Sequence, residues 1–243
     1  MAAADDNAWL AAPGKTGGTE EHWIPLSDLM TGLMMIFMLI SVISLAAMER
    51  SRNAMRHVAR DYSVSRHAMY IELQREFAPD LRRWRAHIDP DLSVKFEQPD
   101  VLFATGKAAL REDFRRTLSD FFPRYIRILA DKRFADNVAE IRIEGHTSSL
   151  WSGAASADDA YFRNMELSQS RTRSTLEYVL LLPQVSAYKP WLTKKLTANG
   201  LSSSQPVLNA NGSENIEASQ RVEFKIRTNA EAKMAEIVGE AEE

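Results

Sequence analysis

The sequence of 243 residues contains no cysteine, and this absence excludes several kinds of site at once. Disulfide bonds, zinc fingers, iron–sulfur clusters and cysteine nucleophiles all need thiols. The five histidines are scattered without the spacing of metal ligands, so the sequence predicts no metal site and no bound cofactor. No hydrolase motif is present, and we expect a protein that is not an enzyme.

A large excess of charge of either sign is also missing. The 30 Lys and Arg residues nearly balance the 33 Asp and Glu residues, and the formal net charge is −3. This balance argues against a strongly basic nucleic-acid-binding protein, so no nucleic acid is expected as a partner. The hydrophobic share of 45% is ordinary for a chain that buries a core.

Long apolar runs are absent except for one. Residues 29–48 carry no charged side chain, and about twenty helical residues rise about 30 Å, the hydrocarbon thickness of a bilayer. Trp23 suits a membrane interface and Pro25 suits the first turn of a helix. The sequence therefore predicts a transmembrane helix over 23–48 after a flexible tail over 1–22. A signal anchor that is later cut and a buried core helix are the alternatives.

Asp28 lies inside this predicted helix, and Thr31 lies on the same helix face. A carboxylate within a bilayer is costly, which favours a functional role as an ion-carrying group that faces a partner helix. The alternative is an N-cap, in which Ser27 or Asp28 accepts hydrogen bonds from free backbone N–H groups. Asp28 and Thr31 are the candidate ion-translocation residues. The expected ion is the proton, and sodium is the alternative.

Beyond the apolar run the pattern changes twice. Residues 49–91 predict a helical linker or dimerisation region, because apolar residues recur at helical spacing, and Pro79 is expected to break it into two helices. Residues 92–228 alternate between strand and helix patterns, which predicts an α/β sandwich. The predicted strands are 93–97, 101–103, 139–144, 195–198 and 221–227, and the predicted helices are 106–132 and 160–182. Residues 229–243 predict a solvated acidic tail.

Two groups of motifs occur in the order that a known family uses. Trp23-Ile-Pro-Leu-Ser-Asp28-Leu-Met-Thr31, followed by a span rich in Met, Phe and Leu, resembles the membrane helix of rotary stator B subunits such as those of the flagellar motor. The region 92–228 resembles an OmpA-like peptidoglycan-binding domain. The motifs that carry this second resemblance are 101–103 (VLF), 106–110 (GKAAL), 143–147 (IEGHT), 164–171 (NMELSQSR), 196–200 (LTANG) and 220–223 (QRVE).

The resemblance implies a single N-terminal transmembrane helix plus an OmpA-like two-layer α/β sandwich with a mixed sheet. The short tail, the Arg-rich helix and the loop Gly-His-Thr-Ser-Ser at 145–149 are more similar to B subunits of Zorya anti-phage defence systems than to flagellar ones. A flagellar-type stator B subunit and a passive peptidoglycan-tethering membrane protein are the alternatives. The implied partners are a second copy in a homodimer, a surrounding ring of A-subunit membrane proteins, and peptidoglycan.

The implied location is the bacterial inner membrane, with the N-terminus cytoplasmic and the C-terminal domain periplasmic. Arg50, Arg52, Arg56 and Arg60 follow the apolar run, and the positive-inside rule would place them in the cytoplasm. That rule is weakest ahead of long translocated domains, and a domain that binds the cell wall must lie outside the inner membrane. We therefore expect the orientation that the resemblance implies.

The resemblance also implies a pocket for the stem peptide of the cell wall. The candidate ligand-binding residues are Thr147, Ser148, Asn164, Ser168, Arg171 and Arg221. Arg171 fits the arginine position of the family, and its planar fork suits a ligand carboxylate. Asn164 adds amide hydrogen bonds. A packing role is the alternative for Ser168, and a place beside the last strand is the alternative for Arg221.

One position departs from the family pattern. An aspartate normally follows the Gly-His-Thr motif, and this chain has Ser148 there. A hydroxyl donates or accepts a hydrogen bond but does not neutralise a ligand ammonium. Asp158 and Asp159 are the alternatives for the missing charge. His146 is expected to brace the end of a strand.

Overall fold

The computed structural model describes residues 23–97 and 99–229. The chain forms two compact units, Met1–Asn53 and Ala54–Glu243. Helix α1, Trp23–Trp84, begins in the first unit and ends in the second. From Ser27 it is long and apolar enough, by length and composition, to cross a membrane. The predicted N-terminal tail and residues 230–243 of the predicted acidic tail lie outside the described residues.

The predicted break at Pro79 is wrong, because α1 continues through this proline to Trp84. A proline removes one backbone N–H donor from a helix and usually kinks it. Here tertiary packing holds the last turns, since Phe77 and Trp84 are buried. In addition, one guanidinium N–H group of Arg124 donates to the carbonyl oxygen of Glu76 at 2.8 Å. The helix ends where Arg85 adopts a φ of 50°.

The second unit contains a five-stranded sheet in the order β1-β2-β5-β3-β4. Strands β3 and β4 are parallel, and the other neighbours are antiparallel. The predicted α/β sandwich with a mixed sheet is therefore confirmed. The strands are β1 Ala86–Ile88, β2 Ser93–Phe96, β3 Val138–Gly145, β4 Leu196–Gly200 and β5 Val222–Thr228. The further helices are α2 Pro99–Leu102, α3 Glu112–Leu129, α4 Ala157–Leu180, α5 Lys189–Lys195 and α6 Ile216–Ser219, with a 3₁₀ helix at Pro183–Tyr188.

The core lies between the sheet and the helices. Alternate residues of the strands are apolar, as the period of two requires for a face that is buried. Phe121 of α3 packs its ring 5.1 Å from Phe96 of β2 and 5.2 Å from Phe224 of β5, measured between centroids. Met69 and Leu73 of α1 are fully buried in the same core. The core therefore extends into the segment that the sequence predicts as a linker.

The segment after β2 differs from the prediction. Residues 101–103 were expected to form a strand, but α2 ends at Leu102 and Phe103 makes an isolated bridge with Leu110. The predicted helix from residue 106 begins only at Glu112, because Gly106 has a φ of 67° and turns the chain. A short apolar run such as Val-Leu-Phe does not distinguish strand from helix. Leu102 and Phe103 are buried, as the apolar pattern indicates, but burial alone does not select between the two conformations.

Candidate functional site

Four of the six predicted ligand-binding residues line one cavity of about 400 Å³. Thr147 and Ser148 follow the end of β3, while Asn164 and Arg171 come from α4. The remaining lining residues lie in the turn before α3, in the loop after β3 and in or near α4 and α6. They are Thr105, Gly106, Leu150, Trp151, Ser152, Leu167, Ile216 and Gln220.

Arg171 is held in place from two sides. Its Nε–H donates to the carbonyl oxygen of Lys107 at 3.0 Å. Its guanidinium carbon lies 4.8 Å from the ring centroid of Phe103, in cation–π contact. The side chain is 6% exposed. A fixed, largely desolvated guanidinium is suited to bind an anion that enters the cavity.

Thr147 presents a polar group without a partner. Its backbone N–H donates to the carbonyl oxygen of Ser202 at 2.9 Å. Its hydroxyl oxygen is buried and makes no hydrogen bond with the residues that the structure describes. A buried hydroxyl without a partner costs free energy, so this atom is suited to meet a ligand. In the same cavity wall, the Asn164 amide donates to the carbonyl oxygen of Leu150 at 3.3 Å.

Ser168 and Arg221 do not line this cavity. The Ser168 hydroxyl donates to the Met165 carbonyl at 2.9 Å and accepts from the backbone N–H of Ser202 at 3.1 Å. Arg221 is 7% exposed, and its Nε–H donates to a carboxylate oxygen of Glu223 at 2.6 Å. Arg221 borders a much smaller neighbouring cleft instead. The structure therefore places Ser168 in a packing role and Arg221 beside the last strand, which are the alternatives to cavity lining for these two residues.

Neither candidate replacement for the family's aspartate lines the cavity. The carboxylate of Asp159 accepts from Arg163 Nε at 2.7 Å and from the Ala155 backbone N–H at 2.9 Å. These two hydrogen bonds, the Arg163 bond above all, lower the pKa of Asp159. Asp158 is exposed in the first turn of α4.

Some residues that line the cavity could not be identified as binding residues from the sequence. Trp151 is the clearest case, because it stands in a polar loop without periodicity and nevertheless forms part of the wall. Ile216 and Gln220 come from a segment that the sequence predicts only as a polar loop. A large aromatic residue in an otherwise polar loop is the one local feature of the sequence that could have indicated this wall, because binding residues are often carried by loops.

The comparisons with known proteins begin with a curated relative. Zorya protein ZorB from Escherichia coli is 42% identical over 221 residues, which are 90% of this chain and 93% of that protein. This chain belongs to the ZorB family. No protein-family model matches the chain.

A solved structure supports the fold of this ZorB-family chain. A putative MotB-like protein from Desulfovibrio vulgaris has a TM-score of 0.50 at 23% identity, and the match covers 70% of this chain and 98% of that one. The OmpA-like domain of FopA1 from Francisella tularensis has a TM-score of 0.37 at 19% identity, over 59% of this chain and 80% of that one. At 23% identity the likeness to the MotB-like protein concerns the fold alone.

Asp28 of this ZorB-family chain is not a helix cap. Because α1 begins at Trp23, Asp28 lies beyond the first turn, where backbone N–H groups have partners within the helix. Its side chain is exposed on the helix surface. The Thr31 hydroxyl donates to the carbonyl oxygen of Ser27 at 2.8 Å. The structure therefore leaves Asp28 as a carboxylate inside an apolar helix.

His146 lies next to the cavity, at the end of β3. Its backbone pairs with that of Arg221 through hydrogen bonds of 3.0 and 3.3 Å, which agrees with the expected brace at the strand end. Its imidazole is fully buried, and neither ring nitrogen has a hydrogen-bond partner among the described residues. Burial lowers the pKa of His146 to about 3, and the positive charges of Arg221, Lys225 and Lys95 act in the same direction.

Two buried carboxylates face this imidazole. Its Nε2 lies 3.6 Å from Glu223 Oε1 and 3.9 Å from Glu144 Oε2, and the donor atoms of the three residues lie within 4.8 Å of one another, as metal ligands do. Arg221 already binds Glu223, however, and Lys95 Nζ lies 4.0 Å from the same carboxylate. These cations oppose the entry of another, so the arrangement favours a charge-balanced polar cluster. Burial raises the pKa of Glu144.

Proposed function

We propose that this chain is the B subunit of an ion-driven membrane motor in Zorya anti-phage defence. Membership of the ZorB family supports the defence role. The apolar part of α1 supports a position in the bacterial inner membrane. In this arrangement residues 1–22 are cytoplasmic, and the domain that follows the helical region is periplasmic. Two copies lie within a ring of A-subunit membrane proteins.

The position of Asp28 carries this proposal. It lies inside an apolar helix, beyond the first turn, where its carboxylate has no capping role. Carboxylates at such positions are costly and are typical of ion pathways. Asp28 loads a proton from one side of the membrane and releases it to the other, with Thr31 on the same helix face. Each charge that crosses the membrane releases about 2.3 kcal/mol per 100 mV.

The cavity supplies the attachment that such a motor needs. Rotation of A subunits around B does work only if B is held still, and we propose that the C-terminal domain holds it by binding peptidoglycan. Arg171 binds a carboxylate of the stem peptide, and the Thr147 hydroxyl gains a partner that it lacks among the described residues. Asn164 contributes a further amide contact. Ser168 and Arg221 stabilise the cavity from outside it.

The test is a phage-plating assay with the whole operon, in which wild type is compared with Asp28→Asn at matched protein levels. The amide is nearly isosteric with the carboxylate but carries no titratable proton. We expect Asp28→Asn to lose protection by more than tenfold in plating efficiency, because the ion can no longer be loaded. Asp28→Glu, which keeps the carboxylate, should retain part of the protection.

The matched control is Glu49→Gln. Glu49 lies on the same helix, just after the apolar run, and is exposed. Loss of the Glu49 carboxylate should leave phage protection unchanged. Full protection by Asp28→Asn would refute ion carriage and favour a passive tether. Absence of protection by wild type would refute the defence role, and motility would then test a flagellar-type stator. Activity that requires sodium at a fixed proton gradient would refute the choice of ion.

A further inference from the structure

A second groove, of about 340 Å³, lies against strands β3 and β5. It shares no lining residue with the cavity described above, and all of its lining residues belong to the compact unit Ala54–Glu243. They come from α1, from the loop between β1 and β2, from β3, from the loop after β4 and from β5. They are Tyr62, Arg66, Asp91, Arg142, Glu144, Gln205, Lys225, Ile226, Arg227 and Thr228.

Four of these side chains are cations, and three of them are grouped on the strands. Lys225 and Arg227 lie on the same face of β5, because alternate residues of a strand share a face, and they are about 7 Å apart along it. Lys225 Nζ is 3.9 Å from Asp91 Oδ2, which is too far for a hydrogen bond. The Glu140 carboxylate lies 2.8 Å from Arg142 and 3.7 Å from Arg227, so it serves two guanidinium groups.

The cations of the groove are more accessible than its buried carboxylate. The side chains of Arg142, Lys225 and Arg227 are 32%, 35% and 43% exposed, whereas that of Glu144 is 6% exposed. The other lining carboxylate, Asp91, accepts hydrogen bonds from the backbone N–H and the hydroxyl of Ser93 at 3.1 and 2.6 Å. An acidic segment that enters the groove therefore meets several accessible cations.

The acidic end of this chain starts at the edge of the groove. Thr228 ends β5 and lines the groove. Asn229 is fixed beside it, because its backbone N–H donates to the Asn137 carbonyl at 3.0 Å and its amide donates to the Asp136 carbonyl at 2.6 Å. Residues 230–243 contain five Glu and one Lys. The first of these glutamates is three residues from Thr228, a reach of about 10 Å in extended chain.

We propose that residues 230–243 fold back onto this groove, where their glutamates pair with the cations of β3 and β5. Exposed ion pairs are individually weak. A segment tethered by so few residues, however, is present at an effective concentration of about millimolar or more, so weak pairs suffice to hold it. The docked segment joins α1 to the sheet, because Tyr62 and Arg66 of α1 line the same groove.

The test uses disulfide formation, for which a chain without cysteine gives a clean background. Gln205→Cys, at an exposed position that lines the groove, is combined with Ala235→Cys or Ala241→Cys in the full chain in detergent. The yield of disulfide within one chain is measured after mild oxidation, by non-reducing electrophoresis and peptide mass spectrometry. The control pair combines Ser170→Cys, on the exposed side of α4, with Ala235→Cys. We expect at least one groove pair to give about tenfold more disulfide than the control pair, because docking raises the effective concentration of the thiols.

Two further measurements test the ion pairs. Lys225→Gln should lower the yield of the groove pair by about twofold to fivefold, as the loss of one exposed ion pair does. Lys194→Gln, at an exposed position of α5 that does not line the groove, should leave the yield unchanged. Salt at about 1 M, which shortens the Debye length to about 3 Å, should lower the yield to that of the control pair. Near-ultraviolet circular dichroism of each variant shows that the domain is folded.

The other outcomes overturn the proposal in distinct ways. Equal yields for the groove pairs and the control pair in folded protein would show that the acidic segment does not dock in this groove. Disulfides that form only between two chains would overturn docking within one chain and assign the groove to the acidic segment of a second copy. Equal yields in Lys225→Gln and Lys194→Gln would overturn pairing with the cations of β5.

Discussion

The hydroxyl oxygen of Ser168 accepts a hydrogen bond from the backbone N–H of Ser202 at 3.1 Å, and this contact joins the middle of α4 to the chain just after β4. The helix lies close to the sheet here. A Cβ atom on Gly200 would lie 2.3 Å from the backbone nitrogen of Gln169, and one on Gly145 would lie 2.6 Å from a methyl group of Thr172. Glycine is required at both positions, because Gly145 allows the close approach of α4 to β3 and Gly200 allows its close approach to β4.

Replacement of Ser168 by alanine should destabilise the domain. Both Ser168 and Ser202 are fully buried, so the variant leaves the Ser202 N–H without an acceptor. An unsatisfied buried donor costs about 1–3 kcal/mol, and we expect a loss of that size in the free energy of unfolding. Urea denaturation of the full chain in detergent, followed by near-ultraviolet circular dichroism, measures it.

Ser170→Ala is the matched control, because Ser170 lies on the exposed side of the same helix. Its effect should stay within about 0.5 kcal/mol, as is usual for surface positions. Equal stability of Ser168→Ala and wild type would show that the contact with Ser202 contributes nothing. Equal losses in both variants would show that the loss does not come from the contact with Ser202, and helix propensity would not explain it either, because alanine is the better helix former.

The parts of the fold that local pattern dictates were predictable. Alternation identified β2, β3 and β5, and the uncharged run identified the apolar part of α1. The features that depend on tertiary contacts were not predictable. Arg124 and buried aromatic side chains keep α1 helical through Pro79, and no local signal reveals such partners. The short strand β1 was likewise hidden, because Ile88 continues the helical spacing of the preceding residues.

The candidate site shows the same division. The resemblance to OmpA-like domains implied Thr147, Ser148, Asn164 and Arg171, which the fold brings to one cavity. The spacing places Ser168 one helical turn from Arg171. It does not show that the Ser168 hydroxyl contacts the chain after β4 instead of the cavity. The roles of these side chains in binding stay predictions.

Arg171→Lys should weaken binding to purified peptidoglycan without loss of charge. Lysine lacks the Nε–H that donates to Lys107 and the planar fork that grips a carboxylate. A hydrogen bond to a charged group contributes about 1.5–3 kcal/mol, so we expect binding to fall by at least about tenfold. Co-sedimentation with purified cell-wall sacculi measures the loss.

Arg173→Lys is the control for this change, since Arg173 lies on the same helix with its side chain 79% exposed and paired with Glu177. It should bind sacculi as wild type does. Urea denaturation of both variants separates lost binding from lost folding. Wild-type affinity for sacculi in a folded Arg171→Lys protein would show that this guanidinium does not contribute to binding.

The buried imidazole of His146 should make stability depend on pH. The pKa of this group is about 3 in the folded chain and about 6.5 in an unfolded one. At pH values between these two pKa values, His146 binds a proton in the unfolded chain but not in the folded chain. The free energy of unfolding therefore falls as pH is lowered through this window, by at most about 1.4 kcal/mol per pH unit. The slope is half of its maximum near pH 6.5 and fades within about one pH unit above it.

A comparison of His146→Gln with wild type isolates this effect, because Glu144 acts in the opposite direction. Burial raises the pKa of Glu144, so its folded carboxyl retains a proton to higher pH and adds stability as pH falls. Between pH 7.0 and 5.5 the free energy of unfolding of wild type should fall by about 1 kcal/mol more than that of His146→Gln. His67→Gln, at an exposed position of α1, should keep the wild-type response. Parallel curves for wild type and His146→Gln would mean that the imidazole takes up its proton in the folded domain. The conclusion that burial keeps this imidazole neutral would then be wrong.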